Sequence, residues 1–279
     1  MSAPQWREIA PSVYVRRHDE LELNCGLVVG EKRALVIDTS GSSARGQQLA
    51  QSIREITPLE PVVVNTHAHY DHCFGNSAFR DSQIYSHSGA ADDLRLTAEH
   101  QREQLIAHLN NTERAQWAEE VRNTEIVLPF YLIDQDTEVD LGGRTVHLLH
   151  GGPAHTDHDL AIAIPDAGVV FWGDMVEQGA DPMMEDAFPL QWAETMRNLQ
   201  SKPVVSDATI AVPGHGDVVD PLFVLEQAEK LQRLADELAE ALDSGVREVD
   251  ALVNKSRGLG LQDTTLREAA MRALEVSRR

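Results

Sequence analysis

The sequence predicts an α/β protein built from layered sheets and helices. Along the 279 residues, β-prone runs alternate with segments whose apolar side chains recur at helical spacing, which favours α/β layers over separate α and β domains. Hydrophobic residues make up 42% of the chain, which is enough to bury a sizeable core. We therefore expect one domain over residues 1–279, with a helical insertion at about 89–123 and a C-terminal helical segment at about 222–279.

The N-terminal third predicts a hairpin followed by a helix and a strand. Gly26–Val29 and Ala34–Ile37 are β-prone and flank a short turn that contains glycine. Apolar residues at helical spacing then predict a helix around Leu49, which a pair of prolines ends. Val62–Val64 follows as a buried strand.

The rest of the chain continues this alternation. The polar, helix-prone stretch at about 89–123 is either a lid over a cleft or a set of surface helices packed on a sheet. Beyond residue 222, leucines at spacings of three and four predict a helix with one apolar stripe. A helix is predicted at Gln191–Leu199, and strands are predicted at Glu125–Leu128, Thr145–Leu149, Leu160–Ile164, Val169–Phe171 and Ile210–Val212.

Charge and composition argue against several classes of partner. The chain has 45 acidic and 24 basic residues, and a net charge of −21 repels phosphate backbones and anionic lipids. We therefore expect a small-molecule substrate and neither a nucleic acid nor a membrane partner. The first residues lack the apolar segment of a signal peptide, and no apolar run approaches the ~20 residues that span a bilayer. A cytoplasmic location with two free cysteines is the expectation.

Asn65–His72 is the most informative segment, because it carries three histidines and an aspartate directly after a buried strand. In extended chain His67 and His69 point to the same side, so both imidazoles can reach one metal ion. Asp71 and His72 are adjacent and need a turn to reach a common point, which suits a second ion. Ligand sites in α/β sheets tend to lie at the carboxyl ends of strands, as this segment does.

Three further residues with metal-binding side chains follow predicted strands in the second half of the chain. Each lies in a turn that contains glycine, where a ligand is held rigidly and the backbone can approach closely. One such residue alone is usually a turn residue that bonds its own backbone, but together with the histidine motif they indicate a metal centre. These residues are His155, Asp174 and His215.

With these residues the chain resembles the metallo-β-lactamase superfamily, in its dinuclear hydrolase branch. The resemblance implies an αββα four-layer sandwich, in which two mixed sheets face each other with helices outside. It also implies that the first metal is bound by His67, His69 and His155, the second by Asp71, His72 and His215, and that Asp174 bridges the two. Asp38 resembles the aspartate that orients a metal ligand by a hydrogen bond, although it can equally be a turn residue at the end of its strand.

Such a centre predicts a metal-dependent hydrolase. Imidazole and carboxylate ligands suit two divalent ions, with Zn²⁺ expected and iron or manganese as alternatives. A hydroxide that bridges the ions would attack an ester, thioester, lactone or amide carbonyl, with Asp71 as the catalytic residue that orients it and carries a proton. A mononuclear iron dioxygenase acting on persulfides and a small-molecule phosphodiesterase are the alternatives. The oligomeric state stays open.

The type of substrate within this branch is harder to predict. Asp174 departs from the β-lactamases themselves, which usually lack this aspartate, and no tyrosine lies between Asp174 and His215, where lactonases often carry one. Tyr70 is interpreted as packing rather than pocket lining, and Cys73 also as packing. His158 is expected at the surface, with contact to the substrate or to a metal ligand as the alternative, and Trp192 is either a pocket wall or a core residue.

Overall fold

The computed structural model describes residues 5–18 and 21–276. The chain divides into two compact units, residues 1–148 and 149–279, and its expected organisation as one domain stays a prediction. The expectation about a signal peptide rests partly on residues 1–4, which lie outside the described residues. In the part of the chain that is described, no helix has both the length and the apolar character needed to cross a membrane.

The first unit contains a seven-stranded mixed sheet in the strand order β1-β2-β3-β4-β5-β6-β7. Neighbouring strands are antiparallel from β1 to β4 and parallel from β4 to β7. The predicted hairpin is confirmed as β3 and β4, and the predicted buried strand as β5. The strands are β1 (Trp6–Ala10), β2 (Val13–Arg17), β3 (Asn24–Val29), β4 (Ala34–Ile37), β5 (Pro61–Val64), β6 (Ile84–His87) and β7 (Tyr131–Ile133).

Four α-helices of this unit lie between or after these strands. The hydroxyl of Ser42 accepts a hydrogen bond from the Arg45 N–H and so caps α1, which buries Leu49 as predicted. The helical character predicted for residues 89–123 is confirmed by α3 and α4, whereas the lid interpretation stays a prediction. The helices are α1 (Ser43–Arg54), α2 (Tyr70–Cys73), α3 (Ser88–Asn111) and α4 (Ala115–Arg122).

The strand predicted at Glu125–Leu128 is wrong, because this segment is irregular and β7 lies a few residues later. Its backbone groups are satisfied by side chains instead of by a sheet. The N–H of Glu125 donates to Oγ of Ser43 at 3.0 Å, and the carbonyl of Val127 accepts from Nδ2 of Asn76 at 3.0 Å.

A second mixed sheet has five strands in the order β12-β11-β10-β9-β8, and the boundary between the two units falls within β9. Strand β11 is antiparallel to β10 and parallel to β12. The strands are β8 (Thr137–Asp140), β9 (Thr145–His150), β10 (Leu160–Ile164), β11 (Val169–Glu177) and β12 (Ile210–His215).

The second unit has its own core beside these strands. The leucine stripe predicted beyond residue 222 is confirmed, since Leu231, Leu234, Leu238 and Leu242 are all buried in α7. The helix predicted at Gln191–Leu199 is confirmed as α5. The helices are α5 (Trp192–Gln200), α6 (Pro203–Ser206), α7 (Pro221–Asp243), α8 (Val249–Ser256) and α9 (Asp263–Val276).

Two strands extend further than their sequence predicts, so that two predicted turn residues lie inside strands. Asp174 lies within β11, and His215 is the last residue of β12. The register between these strands shifts on both sides of Gly173, whose φ is +54°. These irregularities let β11 bend and continue where the sequence suggests that it ends.

Candidate metal centre

In the first unit the candidate centre begins where the parallel strands β4 and β5 end. Ile37 pairs with Val64, so the residues that follow these two strands lie side by side. The N–H of Asp38 donates to the Val64 carbonyl at 2.9 Å and continues the ladder by one bond. Asp38 has φ +59°, a left-handed conformation that is uncommon outside glycine and ends the strand sharply.

The Asp38 carboxylate organises the histidine motif. Its Oδ1 accepts from the Thr66 N–H at 2.8 Å, its Oδ2 accepts from the Thr66 hydroxyl at 2.8 Å, and Oδ2 lies 2.7 Å from Nδ1 of His72. An ionised carboxylate only accepts hydrogen bonds, so Nδ1 of His72 carries the proton and Nε2 keeps its lone pair for a metal. Asp38 and His72 are both buried.

His67 is fixed in the same way by Thr66. The Thr66 hydroxyl donates its one proton to Asp38, so it accepts a hydrogen bond from Nδ1 of His67 at 3.0 Å. The lone pair of Nε2, the opposite ring nitrogen, is then available to bind a metal. The ring of His67 lies 4.7 Å from that of His69 and 4.1 Å from that of His72. Oδ2 of Asp71 lies 3.7 Å from Nε2 of His72. The structure therefore brings all four ligands predicted in this unit together.

Helix α3 contacts the histidine motif directly through Gln101. The side-chain oxygen of Gln101 accepts from the Tyr70 N–H at 2.8 Å, and its Nε2 donates to the Ala68 carbonyl at 3.1 Å. These two bonds hold the backbone on either side of His69, which is one of the predicted ligands. Sequence reasoning missed Gln101, because it lies 31 residues after Tyr70 in the sequence.

A buried amide network holds the other end of the motif. The Asn65 side-chain amide donates to the His72 carbonyl at 3.1 Å and to Oδ1 of Asn76 at 3.1 Å. The Asn76 amide donates back to Oδ1 of Asn65 at 2.8 Å. Both asparagines are almost inaccessible to solvent, so these bonds are expected to hold α2 rigidly.

In the second unit, His155, Asp174 and His215 approach one another. Oδ2 of Asp174 lies 3.4 Å from Nε2 of His215 and 4.0 Å from Nε2 of His155. Oδ1 of Asp159 lies 3.5 Å from Nδ1 of His155. All three predicted ligands of this unit are buried. One ring nitrogen of His155, Nδ1, therefore lies beside the buried Asp159 carboxylate, while the other, Nε2, faces Asp174 and the cluster.

Glu177 is a carboxylate in this cluster that the sequence analysis missed. One oxygen of Glu177, one of Asp174 and one ring nitrogen of His215 all lie within 4.8 Å of one another, which is a spacing that one metal ion can bridge. Glu177 is 8% exposed and ends a strand whose nine residues are all buried. The signal available in the sequence was an acidic residue three positions after Asp174 at the end of an apolar run.

The remaining residues singled out in the sequence pack in ordinary ways. Tyr70 is half-buried and packs against apolar residues of α3, as expected. His158 is 4% exposed, so the surface prediction is wrong, because a tight turn in which its N–H bonds Oγ1 of Thr156 folds it inward. Trp192 is fully buried, and its indole N–H donates to the Met175 carbonyl at 3.2 Å.

Both cysteines are free and buried, and burial raises the pKa of the Cys73 thiol well above its usual range.

Similarity to known proteins identifies the family of this chain. The model of the metallo-β-lactamase superfamily matches residues 19–215, which is most of the chain. The chain belongs to the metallo-β-lactamase superfamily. The expected family and fold class are thus confirmed, with two mixed sheets and associated helices.

Individual relatives of this superfamily member are distant. A metallo-β-lactamase type 2 from Bacillus sp. (strain 170) is 23% identical over 212 residues, covering 74% of this chain and 72% of the relative. The probable metallo-hydrolase YqgX of Bacillus subtilis (strain 168) is 24% identical over 215 residues, covering 74% of this chain and 91% of the relative. A solved metallo-β-lactamase from Pontibacter korlensis superposes with a TM-score of 0.64 at 19% identity, covering 81% of this chain and 99% of that one.

Proposed function

We propose that this superfamily member is a dinuclear metal-dependent hydrolase that cleaves an ester, thioester, lactone or amide bond of a small molecule. The observation that carries the proposal is the orientation of His72, whose Nδ1 is bound by the buried Asp38 carboxylate so that Nε2 is available for a metal. Membership of a superfamily whose curated relatives include a probable metallo-hydrolase supports the reaction class.

The proposed ligand sets follow the resemblance. His67, His69 and His155 would hold the first ion, Asp71, His72 and His215 the second, and Asp174 would bridge them. The donor set fits divalent ions, since the imidazoles of His67 and His72 each have one nitrogen oriented by a hydrogen-bonding neighbour and the carboxylates of Asp71 and Asp174 are buried. When bound, two such ions supply an ionised water at neutral pH and polarise a carbonyl.

The chain's own residues have distinct proposed roles in the reaction. Asp71, with its carboxylate 3.7 Å from Nε2 of His72, would orient the attacking water and transfer its proton to the leaving group. Asp38 would keep His72 in the required tautomer throughout. The cysteines take no part, because burial keeps the Cys73 thiol protonated by raising its pKa.

Zinc is the proposed metal, because five of the seven proposed ligands are imidazoles, which suit Zn²⁺. The cytoplasm is the proposed compartment, and two free, buried thiols agree with a reducing environment.

Elemental analysis of the purified protein, followed by a substrate panel, tests the proposal. We expect close to two zinc ions per chain and hydrolysis of at least one lactone, thioester or β-lactam substrate. Asp71→Ala and His72→Ala should each lose metal and nearly all activity, whereas His100→Ala, which removes an exposed histidine of α3, should lose neither. Full turnover by a chelator-treated, metal-free preparation would reject the mechanism.

The same experiment separates the alternatives predicted from the sequence. One iron per chain, with oxygen uptake and no hydrolysis, would replace the hydrolase with a persulfide dioxygenase. Cleavage confined to phosphodiesters in the panel would replace carbonyl hydrolysis with phosphodiester hydrolysis.

A further inference from the structure

We infer that Glu177 is an additional metal ligand, so that the second unit contributes two carboxylates and one imidazole, from Asp174, Glu177 and His215, to a single ion. The inference deepens the proposed function and rests on it only for the presence of a divalent ion. Of these three residues, Glu177 alone is absent from the ligand set that the sequence predicts.

The first support for a bound ion is the position of the Glu177 carboxylate. Its oxygen lies within 4.8 Å of one ligand atom each of Asp174 and His215, so a small rotation of a side chain brings all three to one ion. Glu177 pairs in register with His215 across β11 and β12, which fixes the relative height of the two residues in the sheet.

The second support is the rigidity of the backbone that carries Glu177. The Glu177 N–H donates to Oε1 of Gln227 at 3.0 Å, and the Gln227 amide donates to the Met175 carbonyl at 2.8 Å. The buried Gln227 side chain is therefore hydrogen-bonded to the strand on both sides of Val176. The Gln178 N–H bonds the His215 carbonyl at 3.2 Å and secures the next residue of the chain. A rigid backbone of this kind meets the requirement that a ligand position be held in place by its surroundings.

The third support is electrostatic. Asp174 and Glu177 are 5% and 8% exposed, and two buried carboxylates this close repel each other strongly in a low-dielectric interior. A divalent cation between them converts the repulsion into attraction. With Glu177 included, the net charge of a dinuclear centre falls from about +1 to about zero, counting two divalent ions, their carboxylates and one hydroxide.

The additional carboxylate has a measurable consequence for metal choice. Carboxylate oxygens suit Mn²⁺, whereas imidazoles suit Zn²⁺, so Glu177 should favour manganese more than it favours zinc. Glu177→Gln keeps the shape of the side chain and removes its charge. We expect this substitution to weaken Mn²⁺ binding by roughly 10- to 100-fold and Zn²⁺ binding by less, so that the ratio of the two affinities shifts toward zinc.

The test is competition against a fluorescent chelator, with the metal-free full-length protein titrated with Mn²⁺ or Zn²⁺. Glu185→Gln is the matched control, because it makes the same change of charge at an exposed residue of the following loop and should leave both affinities within about twofold. Circular dichroism establishes that each variant is folded. Equal Zn²⁺-to-Mn²⁺ affinity ratios in wild type and Glu177→Gln would overturn the inference.

A second measurement covers the case in which Glu177→Gln does not fold. Crystals of the wild-type protein loaded with Mn²⁺ should show, by anomalous scattering, an ion with a Glu177 oxygen at about 2.2 Å. An ion bound by Asp174 and His215 without Glu177 overturns the inference. A wild-type protein that binds Mn²⁺ through Glu177 but cleaves no substrate of the panel retains the inference and rejects the hydrolase.

Discussion

Oδ2 of Asp38 lies 2.7 Å from Nδ1 of His72, and both residues are buried. The contact joins the end of β4 to helix α2, the single turn that carries two of the predicted ligands. Because β4 and β5 are parallel neighbours, one carboxylate can bind the backbone after β5 and the ring of His72 together. The carboxyl ends of two neighbouring strands thus determine which nitrogen of the His72 imidazole is available to a metal.

Asp38→Asn is the first test of this relationship. The amide keeps one acceptor for the His72 N–H but loses the charge that favours this tautomer, so we expect a roughly 10- to 100-fold loss of metal affinity. Asp81→Asn removes an exposed carboxylate of the same unit and should leave metal affinity unchanged. The measurement is metal competition on folded protein, and equal affinities in the two variants would refute the role given to Asp38.

Gln101→Ala tests whether α3 positions His69. The substitution removes both hydrogen bonds to the motif backbone, so we expect weaker metal binding with little loss of helix, since alanine is the best helix former. Each lost bond is worth about 1 kcal/mol, so the loss of both lowers metal affinity by up to roughly 30-fold. Gln104→Ala, at an exposed position on the same helix, is the control. If both variants bind metal as the wild type does, Gln101 does not position the ligand.

Gly214→Ala tests the packing of β11 against β12. A Cβ at this position would lie 1.8 Å from Oδ1 of Asp174, so the Asp174 side chain must leave its present position beside His215. We expect the free energy of unfolding to fall by about 1–3 kcal/mol, with a loss of bound metal. At Gly41 the nearest atom to a new Cβ is 3.4 Å away, so Gly41→Ala should be tolerated. Urea unfolding and elemental analysis distinguish the two outcomes.

The two cysteines provide a test of the packed state of the first unit. Cys25 and Cys73 are 0% and 2% exposed, and burial raises the pKa of both thiols well above the usual range. We expect no reaction with a thiol reagent at neutral pH in folded protein and two equivalents of reaction in denaturant. Rapid labelling without unfolding would contradict the burial of these side chains.

The features predicted correctly from sequence are those with strong local periodicity. The β3–β4 hairpin, the buried strand β5 and the leucine stripe of α7 are of this kind, because apolar spacing and turn residues are local signals. The failures are non-local. Residues 125–128 look like a strand, but side chains from distant parts of the first unit bind their backbone, and no local pattern records those partners.

The candidate site shows the same division. His67, His69, Asp71 and His72 stand out because they are close in sequence, and the structure also places them together. Thr66 and Gln101 bond the ligands or their backbone, and Asp159 lies beside His155, but all three belong to residue types that are common in loops and helices, so their spacing carries no signal. Glu177 escaped notice because the predicted strand ended at Phe171, six residues before the end of β11.

The bonds from Gln101 have a consequence for protein engineering. Segments that connect strands vary among relatives and often carry binding residues, which makes them candidates for exchange between proteins. Here Gln101 of helix α3 bonds the peptide groups on both sides of His69, so a chimera that replaces α3 without an equivalent glutamine would disturb the position of that predicted ligand. Grafts in this region should therefore retain Gln101 and its helical register.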